Sequence, residues 1–141
     1  MSVPAEQSDA PDQDLLRWFS DLSSDDVPLV GGKNASLGEM LAVLSEKGIR
    51  VPEGFATTAD AYRLFIREND LHEQIERLIG QYKADTDELP RVGESIRELF
   101  TNSHMPRNLE DAIRSFYGQF ADRAGVEDPP VAARSSATAE D

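Results

Sequence analysis

Apolar residues recur at the spacing of helical turns along most of the chain, and they predict four or five amphipathic helices. Each pattern repeats apolar side chains every three or four positions, which places them on one helical face. In chain order, the predicted buried stripes are Leu37, Met40, Leu41 and Leu44; Tyr62, Phe65 and Ile66; Leu71, Ile75, Leu78, Ile79 and Tyr82; Leu89, Val92, Ile96, Leu99 and Phe100; and Leu109, Ile113, Phe116, Tyr117 and Phe120. We expect the aromatic side chains to pack in the core.

Residues that favour helix ends lie at the limits of these stripes. Gly48 ends the first helical pattern, and Thr57 or Thr58 is a good N-cap for the second. That second helix is predicted to end near Asn69, and Pro106 can begin the last one. The positions of these residues support the helix boundaries that the stripes predict.

Short apolar runs outside the stripes predict three strands, near Leu15–Phe19, Phe55–Thr57 and Val131–Arg134. Residues 1–13 are polar and have no apolar period, so we expect a disordered tail before a domain over residues 14–141. The predicted fold class is α+β, with the helices packed around a few short strands. The third predicted strand lies near the end of the sequence, and isolated strand pairs are marginal in water. We therefore expect the chain to be the N-terminal part of a longer protein, in which further strands follow.

Composition excludes several classes of function. The net charge is −13, from 14 Lys and Arg against 27 Asp and Glu, and such a surface repels nucleic acid and anionic lipid. We therefore expect neither a nucleic-acid nor a membrane partner. Acidic surfaces with few lysines are also common in salt-loving organisms, which is a hypothesis for the source of this chain. A protein no more stable in molar KCl than in dilute buffer would contradict it.

The absence of cysteine excludes disulfides and thiolate metal sites, and it is compatible with a cytoplasmic protein. No apolar run approaches the roughly 20 residues that span a membrane. The two histidines, His72 and His104, do not stand in a metal-ligand spacing. We predict no metal site within the chain.

Two glycines and a lysine open the first helix. A lysine in the first turn lies at the positive end of the helix dipole, where a cation is unfavourable unless an anion binds there too. Gly31 and Gly32 let a ligand approach the backbone, and Lys33 adds an ammonium, so the three residues can cradle a phosphate. The alternative is a lysine at a frayed helix start with its head group in water.

A second stretch with candidate chemistry follows the last predicted strand. Arg134 is followed by three hydroxyl residues, Ser135, Ser136 and Thr138, among small side chains. A guanidinium at the end of a strand can grip a phosphate with two parallel hydrogen bonds. The alternative is an arginine paired with Glu140 or Asp141 in an ordinary loop.

Three stretches resemble the signature motifs of the phosphoenolpyruvate synthase (pyruvate, water dikinase) family, in the family's order and at similar distances. They are DVPLVGGKNASLGEM (Asp26–Met40), VPEGFATTADAY (Val51–Tyr62) and VAARSSATAED (Val131–Asp141). The first and third are shared with pyruvate phosphate dikinase and rifampicin phosphotransferase, whereas Asn34-Ala35-Ser36 points to the synthase. Ala133 stands where many members have valine, which is a conservative difference.

The resemblance implies the N-terminal part of an ATP-grasp-like nucleotide-binding domain. In that family, the residues matching Lys33 and Arg134 contact the ATP phosphates, and Mg²⁺ bridges phosphate oxygens. The small and hydroxyl residues beside them are weaker candidates: Gly31, Gly32, Ser135, Ser136 and Thr138. The complete enzyme converts ATP, pyruvate and water to phosphoenolpyruvate, AMP and phosphate through a phosphohistidine on a separate domain.

Neither histidine of this chain matches the family's phosphohistidine motif, so we expect no catalytic residue here. The chain alone is expected to lack dikinase activity and to bind ATP weakly or not at all, because the downstream domains complete the sites for ATP and pyruvate. One alternative is the front end of a rifampicin phosphotransferase or a pyruvate phosphate dikinase. The other is a non-enzymatic acidic helical module, in which Lys33→Ala and Arg134→Ala would have no effect.

Overall fold

The computed structural model describes residues 15–82 and 88–139. Within these ranges it contains six α-helices and one two-stranded sheet, which confirms the helix-rich α+β class. The elements are β1 (Leu16–Trp18), α1 (Val27–Val30), α2 (Gly32–Glu46), β2 (Phe55–Thr57), α3 (Ala59–Glu68), α4 (Leu71–Gln81), α5 (Leu89–Thr101) and α6 (Arg107–Ala124). No helix in those ranges has the length and apolar character needed to cross a membrane. The tail predicted for residues 1–13 lies outside the described residues.

The sheet joins β1 and β2 in antiparallel register, with Leu16 opposite Thr57 and Trp18 opposite Phe55. The third predicted strand, Val131–Arg134, is wrong, because residues 131–137 have no regular secondary structure. A strand needs a neighbour to satisfy its backbone groups, whereas this segment lies largely exposed at the surface. The apolar composition of residues 131–134 is typical of a strand, but it does not show whether a second strand lies beside them.

Local capping explains several helix ends. The Thr58 side chain accepts a hydrogen bond from the backbone N–H of Ala61 at 3.2 Å, so Thr58 is the N-cap of α3. Helix α3 ends at Glu68, close to the predicted end, and α2 ends two residues before Gly48. Pro106 is the N-cap of α6. The single-turn helix α1 was not predicted, because four residues are too few to show a helical period.

Trp18 is the centre of an aromatic cluster between the sheet and α6. Its ring stacks on Phe116 with the ring centroids 4.9 Å apart, and it meets Phe55 edge-on at 5.6 Å. The guanidinium of Arg123 lies 4.1 Å from the centre of the Trp18 ring. This cluster confirms the predicted core role of Phe116, whereas Tyr62 is 56% exposed and does not have that role.

Small residues, not the predicted leucine stripe, form the buried face of α2. Ala35 and Gly38 are its buried residues, whereas Met40 is 49% exposed. A Cβ atom on Gly38 would lie 2.5 Å from Leu22 Cβ and 2.6 Å from the Leu22 carbonyl oxygen. The absence of a side chain therefore lets α2 approach the chain around Leu22 closely. The larger apolar residues of α2 are only partly buried or exposed.

Candidate functional site

Lys33 lies in the first turn of α2, as the sequence predicts. The chain turns from α1 into α2 at Gly31, whose φ of 84° and ψ of 164° belong to a region that side chains avoid. Gly31 thus ends α1, and α2 begins at Gly32. The Lys33 side chain is exposed at the end of the helix where the dipole is positive.

The N-terminal end of α2 contacts the segment that follows Arg134. The Gly32 N–H donates a hydrogen bond to the carbonyl oxygen of Ala137 at 3.3 Å. A Cβ atom on Gly31 would lie only 2.3 Å from Ser136 Oγ and 2.9 Å from the Ala137 carbonyl oxygen. Glycine at position 31 therefore permits the approach of two segments that are far apart in the sequence.

A second attachment holds the start of this irregular segment on α6. The Tyr117 hydroxyl donates to Asp128 Oδ1 at 2.6 Å and also lies 2.8 Å from the Pro129 carbonyl oxygen. The hydrogen bond to Asp128 raises the pKa of the Tyr117 phenol, with smaller contributions from desolvation and from the Asp128 charge. Tyr117 and the α2 end thus tie the segment that carries Arg134 at two places.

Lys33 and Arg134 line the same cleft, whose volume is about 570 Å³. The lining residues are Gly32, Lys33, Asn34, Ser36, Leu37, Met40, Arg134 and Ser135. Of the candidates named from the sequence, Gly31 and Ser136 instead form the contact between the two segments. Thr138 is not one of the lining residues, so the structure brings together Gly32, Lys33, Arg134 and Ser135.

Four residues of α2 in the cleft were not assigned to it by sequence reasoning: Asn34, Ser36, Leu37 and Met40. Leu37 and Met40 were predicted to be buried, but they follow Lys33 by four and seven positions. Residues at this spacing share a helical face, which is the signal that could have identified them. The Asn34 side chain is already engaged, since its Nδ2 donates to the Val30 carbonyl oxygen at 2.9 Å.

The chemistry of the cleft suits a ligand with an anionic end. An ammonium and a guanidinium line it together with the positive end of a helix, so oxygens of a phosphate would find charge-assisted donors there. Leu37 and Met40 supply apolar surface further along α2. Within residues 15–82 and 88–139, no group of three or more His, Cys, Asp or Glu side chains could hold a metal ion.

Comparison with known proteins finds relatives that match about nine-tenths of this chain. The chain is 49% identical to phosphoenolpyruvate synthase of Deinococcus radiodurans over 129 residues, which are 91% of this chain and 16% of that protein. It is also 49% identical to the synthase of Neisseria meningitidis over 125 residues, with 88% and 16% covered, and 43% identical to that of Escherichia coli over 128 residues, with 90% and 16% covered. The chain thus spans about a sixth of the length of these relatives.

A model of one protein family, described as the pyruvate phosphate dikinase AMP/ATP-binding domain, matches residues 27–141. The match includes α1, the glycine–lysine start of α2, and the segment around Arg134. Both cations of the cleft therefore lie within the region that defines the family. This chain belongs to the pyruvate phosphate dikinase AMP/ATP-binding domain family.

Proposed function

We propose that the cleft binds the phosphates of ATP through Lys33 and Arg134. The observation that carries this proposal is that both cations line one cleft although they are distant in sequence. A planar guanidinium at Arg134 suits two phosphate oxygens at once, and the ammonium of Lys33 acts as a point charge at the positive end of α2. The family's description as AMP/ATP-binding gives the anion its identity.

We further propose that the chain, over residues 14–141, is the N-terminal part of the nucleotide-binding domain of a phosphoenolpyruvate synthase. The relatives that carry this name match about nine-tenths of the chain. The complete enzyme would convert ATP, pyruvate and water to phosphoenolpyruvate, AMP and phosphate in the cytoplasm, a reaction used in gluconeogenesis. Pyruvate and a phosphohistidine domain of the same enzyme would be its partners in this scheme.

Magnesium belongs to the proposed reaction of the complete enzyme. The ion would offset phosphate charge in the complete enzyme. We propose that its carboxylate ligands belong to the second half of the nucleotide-binding site of the complete enzyme, as the family resemblance implies. The role that we assign to Lys33 and Arg134 is therefore to hold and orient the nucleotide, independently of the ion.

Equilibrium titration with MgATP tests the proposal. We expect the 141-residue chain to bind weakly or not at all and to have no dikinase activity, and we expect the full-length protein that carries it to bind. A full-length variant with both Lys33→Ala and Arg134→Ala should lose most of that affinity. Unchanged binding by the double variant would contradict the proposal and would favour a helical module that does not use these cations.

A further inference from the structure

Two neighbouring serines after Arg134 have different surroundings. Ser135 is exposed and lines the cleft, where its hydroxyl is available to a ligand. The hydroxyl oxygen of Ser136 is instead buried and has no hydrogen-bond partner among the described residues. An unpaired buried hydroxyl is unfavourable, so this position is occupied by a serine for a reason other than local hydrogen bonding.

The side chain of Ser136 lies where a side chain of residue 31 would otherwise be. Its Oγ is only 2.3 Å from the place of a Cβ atom on Gly31. Gly31 precedes Lys33 by two residues, and Ser136 follows Arg134 by two residues. The contact therefore lies between the two segments that carry the cations, close to both of them.

We propose that Ser136 is a positioning residue: the contact with Gly31 admits no larger side chain, so a larger residue 136 would push Lys33 and Arg134 apart. The inference rests on the proposed function, because the separation matters only if both cations hold one ligand. It replaces the role of phosphate ligand that the sequence suggested for Ser136. A buried oxygen pressed against a glycine is poorly placed to meet an anion in the cleft.

The size of residue 136 has a physical effect because both sides of the contact are backbone or short side chains. A larger side chain that occupies the buried position of Ser136 Oγ must move the segment or α2, since packed atoms resist overlap. A smaller side chain leaves the Gly32–Ala137 hydrogen bond to hold the segments together. The effect of substitution should thus depend on volume and not on the hydroxyl.

Distance measurement on the chain itself tests this dependence. The chain has no cysteine, so Val43→Cys on α2 and Val131→Cys before Arg134 give two unique, half-exposed sites for nitroxide labels. Pulsed electron spin resonance should show a separation longer by about 1–2 Å in Ser136→Val, because van der Waals contacts must be restored. Ser136→Ala should leave the distance unchanged, as should the control Ser115→Val on the exposed face of α6.

Steady-state kinetics of the full-length protein gives the second readout. We expect kcat/KM for ATP to fall about tenfold or more in Ser136→Val, because small misplacements of positioning groups are costly. Ser136→Ala should stay within about threefold of the unchanged protein, whereas loss of a phosphate ligand would cost about tenfold or more. If the 141-residue chain with Ser136→Val does not fold, as judged by the fluorescence of its single tryptophan, Trp18, then Ser136→Thr provides the same comparison with one added methyl group.

Two results would overturn the inference. One is a loss of tenfold or more in Ser136→Ala with an unchanged label distance, which would make the hydroxyl a ligand. The other is an unchanged distance in a folded Ser136→Val or Ser136→Thr variant. A full-length protein that does not bind ATP would instead overturn the proposed function, while the distance measurement would still decide what Ser136 does to the separation.

Discussion

The two cations of the cleft are held in place by different means. Lys33 lies on α2, a 15-residue helix, so its backbone is positioned by regular hydrogen bonds and by the packing of Gly38 on Leu22. Arg134 lies in a segment without regular secondary structure. That segment is held by the attachment to Tyr117 and by its contact with the N-terminal end of α2. A helix positions one charge, and tertiary contacts position the other.

This difference indicates how each half of the site responds to substitution. Changes that move α2 as a rigid element should lower the stability of the protein as well as displace Lys33. Changes at the attachments of the Arg134 segment should leave most of the core intact and should mainly weaken the proposed binding of the nucleotide. Four tests, with five substitutions between them, separate these effects, from the largest expected change to the smallest.

Gly38→Ala tests the packing of α2. Its Cβ atom would overlap Leu22 Cβ and the Leu22 carbonyl oxygen, and backbone atoms cannot rotate away, so we expect the free energy of unfolding to fall by about 3 kcal/mol. Urea titration followed by the fluorescence of Trp18, the single tryptophan, measures it. Gly80→Ala on α4 is the control, because its Cβ atom meets nothing within 4 Å and should stabilise the helix by about 0.5–1 kcal/mol. Equal effects of the two variants would contradict the close packing.

Removal of either cation tests the shared use of the cleft. In the full-length protein, Lys33→Ala and Arg134→Ala should each lower ATP-dependent turnover roughly tenfold to a hundredfold, since a charge-assisted phosphate contact contributes about 1.5–3 kcal/mol. Both side chains are exposed, so the urea midpoint should hardly change. Lys47→Ala, an exposed cation at the other end of α2, should leave turnover unchanged. A loss in only one of the two variants would show that the cations do not act on one ligand.

Tyr117→Phe tests the attachment of the Arg134 segment. Loss of the hydroxyl removes the hydrogen bond to Asp128, and we expect kcat/KM for ATP to fall by about two- to threefold while the core stays folded. The raised phenol pKa has a further consequence. The hydrogen bond of the neutral phenol stabilises the folded protein below the ordinary pKa of 10.0, and this stability is lost as the pH rises through the higher pKa of the folded state. The free energies of unfolding of the variant and the parent should therefore converge at high pH. Tyr62→Phe, at an exposed position, should show neither effect.

Glu39→Gln should have the smallest effect, on the anchoring of α2. The Ser24 N–H donates to Glu39 Oε1 at 2.8 Å. This hydrogen bond lowers the pKa of the Glu39 carboxyl from its ordinary value of 4.5, and a hydrogen bond from the Ser24 hydroxyl makes a smaller contribution in the same direction. The resulting stability is present above the ordinary pKa and is lost as the pH falls through the lower folded value. The urea midpoint of the variant should therefore be slightly lower at neutral pH, and the difference should vanish in acid. A difference that persists in acid would assign the effect to something other than the charge.

Sequence patterns predicted best the features that depend on neighbouring residues. The four later stripes correspond to helices α3 to α6, and the alternative of Thr58 as an N-cap was right. The patterns failed where distant segments decide the outcome. The apolar run before Arg134 has no strand partner, and α2 buries Ala35 and Gly38 because Leu22 approaches it closely.

The sequence by itself determined the five longer helices, α2 to α6, the presence of the family motifs, and that Lys33 and Arg134 are candidates for one anion. Helical period and capping act over a few residues, so they can be recognised without the fold. Only the tertiary structure decided that both cations line one cleft, that Met40 lies exposed in it, and that Ser136 packs against Gly31. These outcomes depend on which atoms of distant segments come into contact, and close packing makes that depend on the shape of the whole molecule.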